Sequence, residues 1–160
     1  MPHEPMPATV FERVEILLKK HDVVFRVLHH EPVHTSEQAA RIRGTPLASG
    51  AKALICRGEE QFVMFVLPAD RKLDSQAVRR AMGWRKLRFA TREEVLEMTG
   101  LTPGSIPPFG SLFGLPVYCD DRLSANGEIN FNAGDHRISI AMPYADYVRV
   151  ERPEPGIFAQ

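Results

Sequence analysis

Hydrophobic and polar positions along this chain alternate between two periods, and the changeovers mark its elements. Val10, Val14, Leu17 and Leu18 recur at helical spacing behind Thr9 and Glu12, a pair three residues apart that can satisfy orphan backbone donors reciprocally. Thr35 with Gln38, and Thr91 with Glu94, predict two more helix starts of the same kind. The first of these stops near Gly44 and the second at Gly100, because glycine accepts the left-handed conformation that ends a helix. A fourth helix is predicted from Asp74 to Gly83. Between them the period changes. Val23 to Leu28 is rich in β-branched residues, and Ala51 to Arg57 with Gln61 to Leu67 form a hairpin around Gly58, Glu59 and Glu60. Both faces of the second hairpin strand are apolar, which predicts a central strand covered on both sides. Glu128 to Asn132 and Arg137 to Ala141 make another hairpin, and Tyr147 to Val150 reads as a last strand. Helices interleaved with hairpins predict an α/β (α+β) fold on a mixed, largely antiparallel sheet.

Composition narrows the class. Hydrophobic residues make up 44% and charged residues 25%, the balance of a chain that folds around a core. At 160 residues the chain reads as one domain over 1–160, with flexible tails near 1–7 and 152–160. Met98 to Cys119 carries no charge and is long enough to span a membrane, but its four prolines and four glycines make it a loop region. Two cysteines give no disulfide framework, and Met1 to Pro7 has no basic start before an apolar run, so the expected compartment is the cytoplasm. Net charge is zero, without the basic excess usual in a protein that grips a long nucleic acid, so the chain is expected to hold at most a short piece of RNA, to hold it weakly, or to rely on a partner.

Three features could carry chemistry. Lys52 shares a strand face with Leu54 and Cys56, so its ammonium must either reach solvent or meet an anion. His136 alternates with Ile138 and Ile140 just after the Gly134–Asp135 turn, where an imidazole can position a substrate or shuttle a proton. The run Gly104, Ser105, Ile106, Pro107, Pro108, Phe109, Gly110 is stiffened by two prolines, and the Ser105 and Ile106 N–H groups could face a carbonyl oxygen. Each also has a plain structural explanation: a strand-end lysine, a core histidine, a rigid surface loop. No nucleotide-binding glycine pattern is present, Ser105 and Ser111 lack a G-x-S-x-G setting, and His29, His30 and His34 lack zinc-ligand spacing. Neither a metal nor a cofactor is expected.

The order Gly50-Ala51-Lys52-Ala53-Leu54, then Gly104 to Gly110, then Asn132-Ala133-Gly134-Asp135-His136 resembles the YbaK family, whose domain is also inserted in bacterial prolyl-tRNA synthetases. The resemblance covers about Val23 to Val150. It implies a sheet curled into a partial barrel with helices around it, and hydrolysis of the ester joining a small amino acid such as Ala, Ser or Thr to tRNA. By this resemblance Lys52 holds a phosphate or orients the ribose, and Gly104, Ser105 and Ile106 bring backbone donors to the scissile carbonyl. His136, Pro107, Pro108, Gly134 and Asp135 then shape the substrate pocket, and the ribose hydroxyl of the substrate assists the attacking water. The family's alanine- and cysteine-directed branches carry Asn or Thr after the lysine; Ala53 here points to serine, threonine or a broader set of small residues. The implied partners are the acceptor end of an aminoacyl-tRNA and a synthetase, with no membrane and no DNA. The rival from another class is a non-catalytic module that binds aminoacyl-tRNA or a synthetase.

Overall fold

The capping signals are realised in a computed structural model that describes residues 8–160. The tail expected at 1–7 lies outside the described residues. In chain order the elements are α1 (Val10–Lys20), β1 (Arg26–His29), α2 (Ser36–Arg43), β2 (Ala51–Gly58), β3 (Gln61–Pro68), α3 (Ser75–Met82), β4 (Leu87–Phe89), α4 (Arg92–Thr99), β5 (Val117–Asp120), β6 (Glu128–Asn132), β7 (Ile138–Pro143), α5 (Tyr144–Glu151) and β8 (Glu154–Gly156). Thr9 and Thr91 complete reciprocal boxes with Glu12 and Glu94. Thr35 caps α2 by accepting the Gln38 N–H, but the Gln38 side chain turns away to the His34 N–H. Asp74 caps α3, and Gly44, Gly83 and Gly100 end their helices in the left-handed region.

The strands form two sheets, β1-β7-β6 and β4-β2-β3-β5-β8. The first is antiparallel; the second is mixed, with β5 parallel to both β3 and β8. A single parallel bridge, Gly50 to Asn130, links the sheets, which do not close into a barrel. Their inner faces, with α1, α4 and α5, enclose the main core around Leu18, Met64, Val66, Phe109, Phe131, Ile140 and Tyr147. Val63, Phe65 and Leu67 of β3 point the other way, into a smaller core with Cys56, Val78 of α3 and Phe158. The central strand is thus apolar on both faces because each face meets a different core.

Two expectations are corrected. Tyr147 to Val150 lies within helix α5, because Tyr144, Tyr147, Val148 and Glu151 follow the period of one helical face and Tyr147 is fully buried. Residues 152–160 are folded onto the domain: β8 pairs with β5, and Phe158 and Ala159 are buried. The buried carboxylate of Asp120 accepts the N–H groups of Phe158 and Ala159, each at 2.8 Å, while Arg122 hydrogen-bonds both Asp120 and the Ala159 carbonyl. Burial alone would push the Asp120 carboxyl up, but these donors more than offset it and hold it below its ordinary value. Burying a side chain the size of Phe158 contributes about 1.5–3 kcal/mol, which adds to the β8 pairing and the Asp120 bonds in holding the segment down.

Candidate functional site

Where the two sheets approach, a cleft of about 160 Å³ opens between α2, the start of β2, the Gly104 loop, β6 and His136. Gly50, which bridges to Asn130, is tightly enclosed there: a Cβ would sit 2.9 Å from the Ala69 side chain and 3.9 Å from the Arg43 guanidinium. The cleft brings together Lys52, Gly104, Ile106 and His136, four of the residues singled out in the sequence. It also holds Arg43, Asn130, Asn132 and His34.

Lys52 sits at the mouth, half-buried, with its ammonium donating to the Arg71 carbonyl. Desolvation lowers its pKa; the nearby Glu37 and Asp70 carboxylates oppose the shift and Lys72 adds to it. A partly desolvated ammonium with donors to spare attracts an anion entering from solvent.

The Gly104 loop is held by its carbonyls. Gly104 C=O accepts from the Asn132 amide at 2.8 Å, Ser105 C=O from the Gly134 N–H at 2.8 Å, and Pro108 C=O from the buried Tyr147 hydroxyl at 2.7 Å. Ser105 closes its own turn, with its N–H and hydroxyl both directed to the Thr102 carbonyl. In a trans peptide the N–H points opposite to the C=O, so the Ile106 N–H is directed away from Gly134. It has no hydrogen-bond partner among the described residues, and Ile106 lines the cleft. Of the two donors expected from the loop, Ile106 is free and Ser105 is occupied.

His136 lies in the turn before β7 rather than on the strand, and uses both ring nitrogens. Nδ1 lies 3.0 Å from the Val33 carbonyl, which can only accept, so Nδ1 carries the proton. Nε2 then takes the Thr102 hydroxyl at 3.1 Å. With both nitrogens engaged, the imidazole is a fixed wall and not a free base. Gly104, at φ 92°, lets the loop lie against it: a Cβ there would be 3.4 Å from the His136 ring.

Four other expected residues stand back from the cleft. Pro107 and Pro108 are buried behind Ile106 and stiffen the loop from within. Gly134, at φ 85°, passes under Val10 of α1, and its N–H anchors the loop. Asp135 pairs with Arg137, whose bonds hold its carboxyl down at about 2 despite some desolvation.

Arg43 escaped the sequence reading. Its guanidinium makes three bonds of 2.8 Å, to Ser139 Oγ, Asn130 Oδ1 and Asn132 Oδ1. All three acceptors are neutral, and burial lowers the Arg43 pKa to about 10. In sequence it is only a basic residue in the last turn of a helix. Its partners lie on β6 and β7, far along the chain, so no local signal could have found it.

The arrangement restricts the chemistry. Burial pushes the Cys56 and Cys119 thiols up to about 12, too high for a thiolate nucleophile. Among the described residues no group of three His, Cys, Asp or Glu side chains could hold a metal ion. No helix among them is long and apolar enough to cross a membrane. What the cleft offers is a cation at its mouth, a backbone N–H on one wall and a fixed imidazole beside it.

The profile of the family described as an aminoacyl-tRNA editing domain matches residues 30–150. The chain is 38% identical over 148 residues to the multifunctional Ser/Thr-tRNA deacylase ProXp-y of Escherichia coli K12, covering 89% of each. It is 33% identical over 109 residues to a proline–tRNA ligase of Trichlorobacter lovleyi, 68% of this chain and 19% of that one. A crystallised candidate trans-editing enzyme for prolyl tRNA synthetase superposes with a TM-score of 0.83 at 25% identity, covering 96% of this chain and 99% of that chain.

Proposed function

This chain belongs to the aminoacyl-tRNA editing domain family, and on that premise we infer that it is an aminoacyl-tRNA deacylase acting in trans on tRNA charged with serine, threonine or another small amino acid. The observation that carries the reading is that Ile106, whose N–H has no hydrogen-bond partner among the described residues, lines a small cleft together with Lys52. Hydrolysis adds water across the ester, releasing the amino acid and the ribose hydroxyl, through a tetrahedral intermediate with an oxyanion. Ile106 N–H, with the loop held rigid behind it, is preorganised to receive that oxyanion. Lys52 holds the phosphate or ribose of the terminal nucleotide and so places the carbonyl against the loop.

Both nitrogens of His136 are engaged, so this imidazole is not poised as a base. The neighbouring ribose hydroxyl of the substrate therefore assists the attacking water. The cleft volume is below the roughly 300–1,000 Å³ of pockets that enclose drug-sized ligands, so it suits an aminoacyl group rather than a whole nucleotide. The setting is the cytoplasm, where charged tRNA is used, and a synthetase is the partner that the shared domain suggests. The test is to incubate the protein with a panel of charged tRNAs and follow the ester. Rapid loss from seryl- or threonyl-tRNA with prolyl-tRNA spared is expected; binding without hydrolysis of any of them overturns the reading in favour of a non-catalytic module.

A further inference from the structure

Overall neutrality conceals a strong separation of charge. Between residues 71 and 92 there are eight Lys and Arg against the single Asp74, whereas from 93 to 160 there are four against ten Asp and Glu. Asp74 is turned inward to cap α3, and the Glu59 carboxylate at the adjacent hairpin is taken by the Arg85 N–H. Arg88 is paired with Glu94. Lys72, Arg79, Arg80, Arg85 and Lys86 remain exposed, with no ion pair among the described residues, as does Arg92 at the start of α4.

These residues follow a line that starts at the cleft. The Arg71 carbonyl holds the Lys52 ammonium, α3 lies over the face of the sheet that carries Leu54 and Cys56, and Trp84 covers Gly58 at the far end of β2. The segment therefore runs beside β2 from Lys52 to Gly58, about 20 Å at about 3.3 Å per strand residue. The exposed positions of α3 include no large apolar side chain, unlike the core of a protein–protein interface. A row of cations rich in arginine matches a row of phosphates, which guanidinium groups bind in bidentate fashion.

We propose that the exposed face carrying Lys72, Arg79, Arg80, Arg85 and Lys86 binds the phosphate backbone of the tRNA acceptor stem, continuing outward from the cleft. This rests on the deacylase reading above and adds to it where the duplex lies. The test is the variant Arg79→Glu/Arg80→Glu/Arg85→Glu, assayed on seryl-tRNA and on a seryl ester of the terminal trinucleotide, which lacks the stem. Expected is a fall in kcat/KM on the whole tRNA of about 10-fold or more at moderate salt, with the short ester cleaved as by the wild type. The slope of log kcat/KM against log salt should decrease by about one for each phosphate contact removed. An unchanged rate on tRNA overturns the proposal, and so does an equal loss on both substrates. The milder Lys72→Gln/Lys86→Gln variant must shift the tRNA rate in the same direction, and an unchanged melting temperature establishes that the fold is intact. Should the wild type cleave neither substrate, filter binding of uncharged tRNA to the same variants still decides the surface. Variants that bind tRNA normally but lose a synthetase would place a protein there and overturn the assignment.

Discussion

The Arg43 guanidinium lies 2.8 Å from Asn132 Oδ1, and the Asn132 amide lies 2.8 Å from the Gly104 carbonyl, so α2 fixes the loop across the cleft. Arg43 is thus linked through Asn132 to the loop that carries Ile106. The Asn132 amide is oriented without ambiguity, because the guanidinium can only donate and the Gly104 carbonyl can only accept. Asn132→Ala should leave KM little changed and lower kcat by up to about 100-fold, the scale of an ångström of misplacement at a reacting centre. Arg43→Ala should do the same, and the double variant should be no worse than the poorer single one, because the two residues act in series. Arg43→Lys should not restore the rate, since one ammonium cannot reproduce three fixed bonds. Additive losses in kcat would show that the two residues act separately.

Lys52 offers a simpler test. Lys52→Ala should reduce kcat/KM by about 100- to 1,000-fold, the range for losing one electrostatic contact that steadies the transition state. Its far-ultraviolet circular dichroism and melting temperature should stay close to wild type, because the ammonium sits at the mouth of the cleft and its protein contact is one carbonyl. Wild-type turnover would remove Lys52 from the mechanism; a failure to fold would make it a structural residue.

Much of this fold is written locally. Thr9, Thr91 and Asp74 announce helices because a cap is satisfied within three residues. The doubly apolar β3 announces itself as central. What escaped is long-range. Helix α5 starts at Pro143 without a side-chain cap, so the β-branched Val148 and Val150 dominate the local reading and only the burial of Tyr147 reveals the helical period. Strand β8 includes Pro155 and is held by backbone pairing with β5 and by Asp120, 38 residues before Phe158. At the site, Lys52, Gly104, Ile106 and His136 were legible because a family resemblance linked three separated motifs. Arg43 was not, since its role exists only after β6 and β7 come to rest against α2.

His136 should set which amino acids are accepted. A hydrophobic pocket separates one methylene by only about 1–3 kcal/mol, so a rigid wall discriminates better by exclusion. His136→Ala should raise the relative rate on larger amino acids, prolyl-tRNA included, across a common panel of charged tRNAs. It also leaves the Val33 carbonyl without its donor and should lower stability by about 1–3 kcal/mol. An unchanged ranking of substrates would show that the imidazole does not bound the pocket.

Activity should not depend on a metal. His30 is bonded to Ser139 at 2.7 Å, and no group of three His, Cys, Asp or Glu side chains among the described residues could hold a metal ion. Dialysis against chelator should leave initial rates unchanged, and a rate recovered only on adding zinc would overturn this.

Glu151 makes stability depend on pH. Burial raises its pKa from 4.5 to about 7, although the Ser111 N–H at 3.4 Å opposes the shift, and its second carboxylate oxygen is buried without a partner among the described residues. Because the folded state holds this proton more tightly than the unfolded chain, the group favours folding most at low pH. That contribution is lost as pH rises from about 4.5 to about 7 and then stays constant. Glu151→Gln keeps an acceptor for Ser111 and removes the buried charge. The variant should therefore melt at a higher temperature than the wild type at pH 8, with the difference shrinking through this window and vanishing near pH 4. Ser111 begins one residue past the Gly104–Gly110 loop, and Tyr147 holds that loop from the preceding turn of α5, so the charge also bears on the site. Parallel melting scans of the two proteins from pH 4 to 8 are the measurement. A difference that is constant across the range, or that grows as pH falls, would mean that Glu151 is already ionised in the folded protein.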